Sequence, residues 1–424
     1  MDRNETNNSR SAFVITRLGQ LRNVHTLIEQ ESLKHNVLVI MFTPRDTFLL
    51  SNLRNACRKE LFDDVLYLKL PKFPLRLNRK KSEAIYAGME EILKELYGGF
   101  SINELYLCNI DSYYVYFERI IKERGYSIAI NLLEEGLTTY KITSGQSLDK
   151  KEDPPNKNDV KKAWNGFKKA LRKFIVSSGI LVLQCISLVI RKPLVSYAHN
   201  LWIRLSVDKT RRFGIISDLN KVYVCFPEMV KDTGAINFAS VQKLQIKFNK
   251  AEDETAEEEV MGYPAIFVNQ KYVNYASHFR IVFQIFDEMS IDKVLIKLHP
   301  KEDEQVVREN ILKAQAGHEN IDVKILSSAG QIPVEDLVYT YGIKKVIALT
   351  SSALIYLNAA LEGTQVISIA ERYRQLCGSD AGVASRELVQ FDDEYRFFKR
   401  FEDIPQFVPE SGPEEAAGRP GQGA

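Results

Sequence analysis

Four short groups of residues have types and spacings that suit chemistry on a charged small molecule. The first is Glu134-Glu135-Gly136, two adjacent carboxylates and a glycine directly after an apolar, β-branched run. One such carboxylate can act as a base while its neighbour anchors the loop, and Gly136 lets the backbone turn sharply; the same residues also make an ordinary surface turn. The second is Lys297-Leu298-His299-Pro300-Lys301. An imidazole at a strand end can hydrogen-bond a phosphate or protonate a leaving group near neutral pH, with Pro300 fixing the chain direction. A lone histidine is also commonly structural, but His25, His35, His199, His278 and His318 all fall away from predicted strand C-termini, and His299 does not. The third is Thr350-Ser351-Ser352-Ala353, where hydroxyls and free N–H groups at a helix start make either an anion site or a simple N-cap. The fourth, Ile332-Pro333-Val334-Glu335, puts a carboxylate in a connecting segment and by itself marks only a loop or a helix start.

These groups need elements to hold them. Short apolar runs at 12–16, 37–42, 65–70, 104–109 and 127–133 read as buried strands, with helical spacing at 18–34, 82–97 and 113–124 between several of them. Such alternation predicts crossover units on a mostly parallel sheet. A second set follows: strands at 222–226, 265–269, 293–298, 322–326, 345–350 and 364–369, and helices at 274–289, 302–316 and 352–362. The expectation is an α/β chain with a Rossmann-like domain over 1–144, an insert over 145–215, a second Rossmann-like domain over 216–408 and a tail of disordered composition over 409–424. Ligands of such sheets lie beyond the C-terminal strand ends, so the cleft between two facing halves is the expected site. The acidic run 252–259, EDETAEEE, reads as a solvated loop.

With 424 residues, 45% hydrophobic and 26% charged, the chain has the composition of an ordinary globular protein of two to three domains. A net charge of +2 argues against a nucleic-acid partner, although the average hides a local excess. Residues 157–212 hold thirteen Lys and Arg against two acids, Asp159 and Asp208, and enclose a 17-residue run without a charge at 174–190. A buried core helix, a membrane-spanning helix and an interfacial helix all fit that length. The interfacial reading is favoured because Trp164, Phe167 and the cations suit an anionic leaflet. Cys57, Cys108, Cys185, Cys225 and Cys377 are scattered without C-x-x-C spacing, and the polar N-terminus lacks a signal-peptide core. A cytoplasmic protein, peripheral at the membrane, is the expectation. P-loop, dinucleotide, zinc-protease, D-x-D and G-x-S-x-G signatures are absent from the sequence, which removes the classes they mark.

Taken in order, acidic-acidic-Gly, His-Pro, Pro-x-Glu and Ser-Ser resemble the bacterial sialyltransferases of the GT-B type, and EEGLTTY at 134–140 is most similar to the capsular polysialyltransferases. The resemblance spans residues 12–401 and implies a GT-B fold and an inverting transfer from CMP-sialic acid to a polysialic or other anionic capsule acceptor. No cofactor and no metal are implied. Glu135 would be the general base and Glu134 its support. His299 would bind the leaving CMP phosphate together with Ser351 and Ser352, Glu335 would hold the ribose hydroxyls, and Lys297, Pro300 and Lys301 would complete the donor side. The chemistry agrees, because hydroxyls, an imidazole and a helix N-terminus can stabilise one leaving phosphate, and one displacement with one base inverts the anomeric centre. Arg17 and Arg22, beside the first strand, would face the acceptor or be ordinary surface arginines. An anionic membrane surface and a capsule assembly complex are the further partners such an enzyme would have. The rivals are a CMP-Kdo-dependent transferase, a single-addition lipooligosaccharide sialyltransferase and a non-catalytic capsule-assembly component.

Overall fold

The computed structural model describes residues 9–44, 47–71, 79–110, 112–143, 215–230, 236–250, 254–270, 275–299, 302–327, 332–379, 385–401 and 403–409. The insert up to residue 214, including the run 174–190, lies outside them, as do Pro300, Lys301 and the tail from 410. The chain divides into two compact units, Met1–Gln245 and Ile246–Ala424.

The first unit runs β1 (Ser11–Ile15), α1 (Leu18–Glu31), β2 (Asn36–Phe42), α2 (Thr47–Ala56), β3 (Asp64–Lys69), α3 (Arg79–Gly98), β4 (Glu104–Leu107), α4 (Val115–Arg124), β5 (Ala129–Leu133), α5 (Leu137–Thr143), β6 (Asp218–Val224) and β7 (Asn237–Lys243). Its strands form a 7-stranded sheet in the order β3-β2-β1-β4-β5-β6-β7, and every pairing is parallel. All residues of β1 are buried, as expected for a strand covered by helices on both faces. Ala12 pairs with Val37 on one side and with Leu105 on the other, which makes β1 an interior strand.

The boundary expected at 216 is therefore corrected to 245/246. Leu132 pairs with Val222, and β7 continues from β6, so 218–243 completes the first sheet instead of opening the second. A local apolar run identifies a strand but carries no information about its neighbour. The sequence reading missed β7 (NFASVQK) because its polar residues interrupt the apolar pattern.

The second unit runs α6 (Glu254–Val260), β8 (Ala265–Val268), α7 (Tyr275–Glu288), β9 (Lys293–Lys297), α8 (Glu304–Gln315), β10 (Asp322–Ile325), α9 (Val334–Tyr341), β11 (Lys345–Ala348), α10 (Ser352–Ala360), β12 (Gln365–Ser368), α11 (Ala370–Ser379) and α12 (Ser385–Phe398). Its 5-stranded sheet has the order β10-β9-β8-β11-β12 and is again fully parallel. Phe279, Phe283 and Phe286, spaced as one helical face of α7, are fully buried against Phe267, Val294 and Ile347. Of the acidic run expected as a loop, residues 254–259 lie in the helix α6. Ala256 and Val260, four residues apart, are its buried stripe, and acids in the first turn suit the helix dipole. Composition alone hides such a two-residue stripe.

Both sheets share one order around an interior first strand, with the winding reversing between β1 and β4 in one unit and between β8 and β11 in the other. The expectation of an α/β chain with two Rossmann-like parallel-sheet units holds. Among the described residues no helix is long and apolar enough to cross a membrane.

Candidate functional site

In each unit the chemistry-bearing side chains collect past the C-terminal strand ends, where parallel sheets leave loops free to bind ligands. In the first unit β5 ends at Leu133, and Glu134-Glu135-Gly136 leads into α5. Gly136 has φ 118, a region that side chains rarely enter, and this lets the chain reverse within one residue. The Thr139 hydroxyl accepts a hydrogen bond from the Glu135 backbone N–H at 2.8 Å, which fixes the start of the helix.

The two carboxylates have different surroundings. Glu134 is fully buried and accepts from the Tyr140 hydroxyl at 2.8 Å and from the Cys225 backbone N–H. The Asn23 side-chain amide donates to its carbonyl oxygen at 2.9 Å, and the Phe226 N–H donates to the Tyr140 hydroxyl at 3.0 Å. Glu134 thus ties α5 to the end of β6, and burial together with this carboxylate pushes the Tyr140 hydroxyl and the Cys225 thiol up. Glu135, one residue on, keeps its side chain 9% exposed. Arg17 Nη1 is 3.3 Å from its Oε1, and Asn109 Nδ2 donates to its Oε2 at 3.2 Å. Arg17 follows β1 and Asn109 follows β4, so the two strands flanking the switch point both reach the carboxylate.

In the second unit Lys297 ends β9, buried, and burial lowers its ammonium to about 8 while the Glu335 carboxylate opposes the fall. His299 stands two residues on. Its backbone N–H donates to Glu302 Oε2 at 2.6 Å, and the Glu302 N–H donates back to the His299 carbonyl at 2.9 Å, so the two residues are tied by both bonds. Asn269 Nδ2 donates to Glu302 Oε1 at 2.8 Å, and its Oδ1 lies 2.8 Å from His278 Nε2. Because the Asn269 amide N–H is used on Glu302, its Oδ1 accepts, so the His278 proton sits on Nε2 and Nδ1 accepts from the Tyr373 hydroxyl at 3.0 Å. Burial lowers His278 to about 3, so it stays neutral at working pH.

The β8–β11 switch point is bridged by Gln270, whose Oε1 accepts from the Thr350 N–H at 2.9 Å and whose Nε2 donates to the Thr350 hydroxyl at 3.1 Å. That bridge sets the entry to α10. Ser351 caps the helix, its hydroxyl accepting from the Ala353 N–H at 3.3 Å, and Ser351 and Ser352 are half-buried. Glu335 and Asp336 occupy the buried first turn of α9, where Asp336 Oδ1 accepts from the Asn249 N–H at 2.9 Å. Glu335 therefore stands at a helix start, one of its two sequence readings.

Lys297, His299, Glu335, Ser351 and Ser352 thus gather at one edge of the second sheet, and Glu134 and Glu135 at the matching edge of the first. Sequence reasoning passed over Asn109, Asn269, Gln270, His278, Glu302 and Tyr373. Asn109, Asn269 and Gln270 had a signal, a side-chain amide at or just past the end of a predicted strand. His278, set among phenylalanines in α7, had none. Among the described residues no three His, Cys, Asp or Glu side chains gather as a metal site.

The family model alpha-2,8-polysialyltransferase (POLYST) matches residues 11–370. No curated protein matches the chain by sequence. Similar solved structures include a putative UDP-N-acetylglucosamine 2-epimerase from Listeria monocytogenes, at 10% identity and TM-score 0.45 over 93% of this chain and 91% of that one. A UDP-GlcNAc 2-epimerase from Neisseria meningitidis bound to UDP-GlcNAc has 10% identity and TM-score 0.38 over 95% of each chain. A glycosyltransferase from Rickettsia africae has 10% identity and TM-score 0.43 over 93% of this chain and 99% of that one. The family match runs through the first unit and into the second as far as residue 370, with every described candidate side chain inside it, and the chain belongs to the alpha-2,8-polysialyltransferase family: it is a sialyltransferase that transfers a sugar from a nucleotide-sugar donor to a carbohydrate acceptor.

Proposed function

We propose that the protein is an inverting, metal-independent transferase moving sialic acid from CMP-sialic acid to the end of an oligo- or polysialic acid of capsule type. The observation that carries this is the placement of Glu135, a carboxylate just past the C-terminal end of β5, held on both oxygens by side chains from the two strand ends that flank the switch point. Glu135 takes the proton of the acceptor hydroxyl as that oxygen bonds the anomeric carbon. The bond from that carbon to the CMP phosphate breaks, and its electron pair leaves with the phosphate. One displacement with one base inverts the centre. His299, Lys297, the Ser351 and Ser352 hydroxyls and the N-terminus of α10 stabilise the charge that develops on the leaving phosphate, which is the work a metal would otherwise do. Glu335 accepts hydrogen bonds from the ribose hydroxyls. Glu134 holds the α5 loop and thereby the direction of Glu135. The basic residues of 157–212 hold the enzyme at an anionic membrane surface, within reach of a capsule assembly complex.

The test is CMP release with CMP-sialic acid and an oligosialic acid primer, run beside CMP-Kdo and with a metal chelator. Turnover of the sialic donor, unchanged by chelation, is expected, with a product ladder that marks chain extension. Glu135→Gln should lower kcat by roughly 10²- to 10⁴-fold, the usual contribution of a placed base, with the fold intact. Kdo-only turnover, loss on chelation, or an active Glu135→Gln enzyme would each refute the corresponding part.

A further inference from the structure

Arg17 closes the turn between β1 and α1, with an extended backbone (φ −149, ψ 157) and its carbonyl accepting from the Leu21 N–H at 3.1 Å. Both neighbouring elements therefore fix where its side chain starts. Its guanidinium meets Glu135 through one nitrogen, and 58% of the side chain is open to water. The rest of the donor fork is available, 3.3 Å from the base.

We propose that Arg17 binds the carboxylate of the acceptor's terminal sugar and so selects acceptors that are themselves sialylated. The inference rests on the reading of Glu135 as the base. Three observations support it. A guanidinium fork matches a carboxylate in two parallel hydrogen bonds, a geometry that neutral sugars do not offer. The alternative task, holding Glu135 in place, is already shared by Asn109, which donates to the other oxygen. Finally, the Arg17 side chain is largely open to water while Glu135 keeps Asn109 as a second donor, so a substrate carboxylate reaches the fork without stripping Glu135 of every partner. A sialic acid carries its carboxylate and its hydroxylated side chain on one residue, so a sugar gripped by Arg17 keeps its hydroxyls beside Glu135.

The experiment compares two synthetic primers, an oligosialic acid and the same oligomer with only the terminal carboxylate converted to an amide. Transfer and direct primer binding without donor are both measured for wild type, Arg17→Gln and Arg17→Lys. Wild type should prefer the acid over the amide by roughly 10- to 100-fold in kcat/KM, the range expected for a charged hydrogen-bonded pair. In Arg17→Gln that preference should fall to about one, with the loss in KM and in primer binding, and Arg17→Lys should retain part of it. An Arg17→Gln enzyme that loses equally on both primers shows that Arg17 acts only through Glu135 and overturns the proposal. A preference unchanged from wild type overturns it too. Glu135→Gln is run alongside. If it keeps wild-type turnover the functional reading fails, while the acid-against-amide binding ratio still decides the role of Arg17.

Discussion

Lys297 is the residue whose surroundings make the sharpest statement about pH. Burial holds its ammonium at about 8, against an ordinary value of 10.5. Below about 8 it offers a positive charge to an anion at the end of β9, and above it that charge is gone. The donor KM should therefore rise severalfold as pH climbs from 7 to 9 in wild type and stay flat in Lys297→Arg, whose guanidinium remains charged. The stability effect has the opposite sign. Between about 8 and 10.5 the unfolded chain binds the proton that the native lysine has lost, so this group adds stability as pH rises. Weaker donor binding in that window cannot then be assigned to unfolding from this residue. Steady-state kinetics across pH, with thermal melts at the same values, separates the two.

At the scale of elements, the loop after β9 depends on groups far from it in sequence. Asn269 joins Glu302 to His278, and Tyr373 on α11 fixes the imidazole from the other side. Asn269→Leu would leave the buried His278 N–H and the half-buried Glu302 carboxylate without these partners. We expect a loss of about 1–3 kcal/mol of stability in denaturant melts. A fall in kcat beyond that of an equally destabilised core variant such as Ile347→Val is also expected, because the His299 turn loses its clamp. A kcat that follows stability alone would limit the network to a packing role. The matching device in the first unit is Glu134, whose bonds to Tyr140 and Cys225 span two elements.

For the whole molecule, the net charge of +2 is a cancellation. Thirteen cations between 157 and 212 are offset by acids elsewhere, including those of α6. A local excess of that size favours an anionic bilayer, at about 1 kcal/mol per cation near the surface, and is screened by salt. Sedimentation with phosphatidylserine-containing vesicles should show binding at low ionic strength that falls steeply as salt rises. Binding that is absent at low salt, or indifferent to salt, removes the membrane proposal. The division at 245/246 matters on the same scale, because the basic segment lies within the chain of the first unit, between α5 and β6, and not at a junction between units.

The sequence by itself determined the α/β class, most strands and helices, and the residues at their C-terminal ends, because these follow from local periodicity and from the way a parallel sheet exposes its loops. Glu135, His299 and Ser351 were legible as strand-end positions for that reason, whereas Glu335 was read by itself only as a loop or a helix start. Three things were decided only by the tertiary structure. Strands 218–224 and 237–243 joined the first sheet, since a strand's own residues do not name its partner. Residues 254–259 of the acidic run became helix, since Ala256 and Val260 found a core to bury in. Asn109, Asn269, His278 and Tyr373 came to surround the candidate catalytic groups, since hydrogen bonds between residues 9 to 95 positions apart are set by packing, which no local pattern encodes.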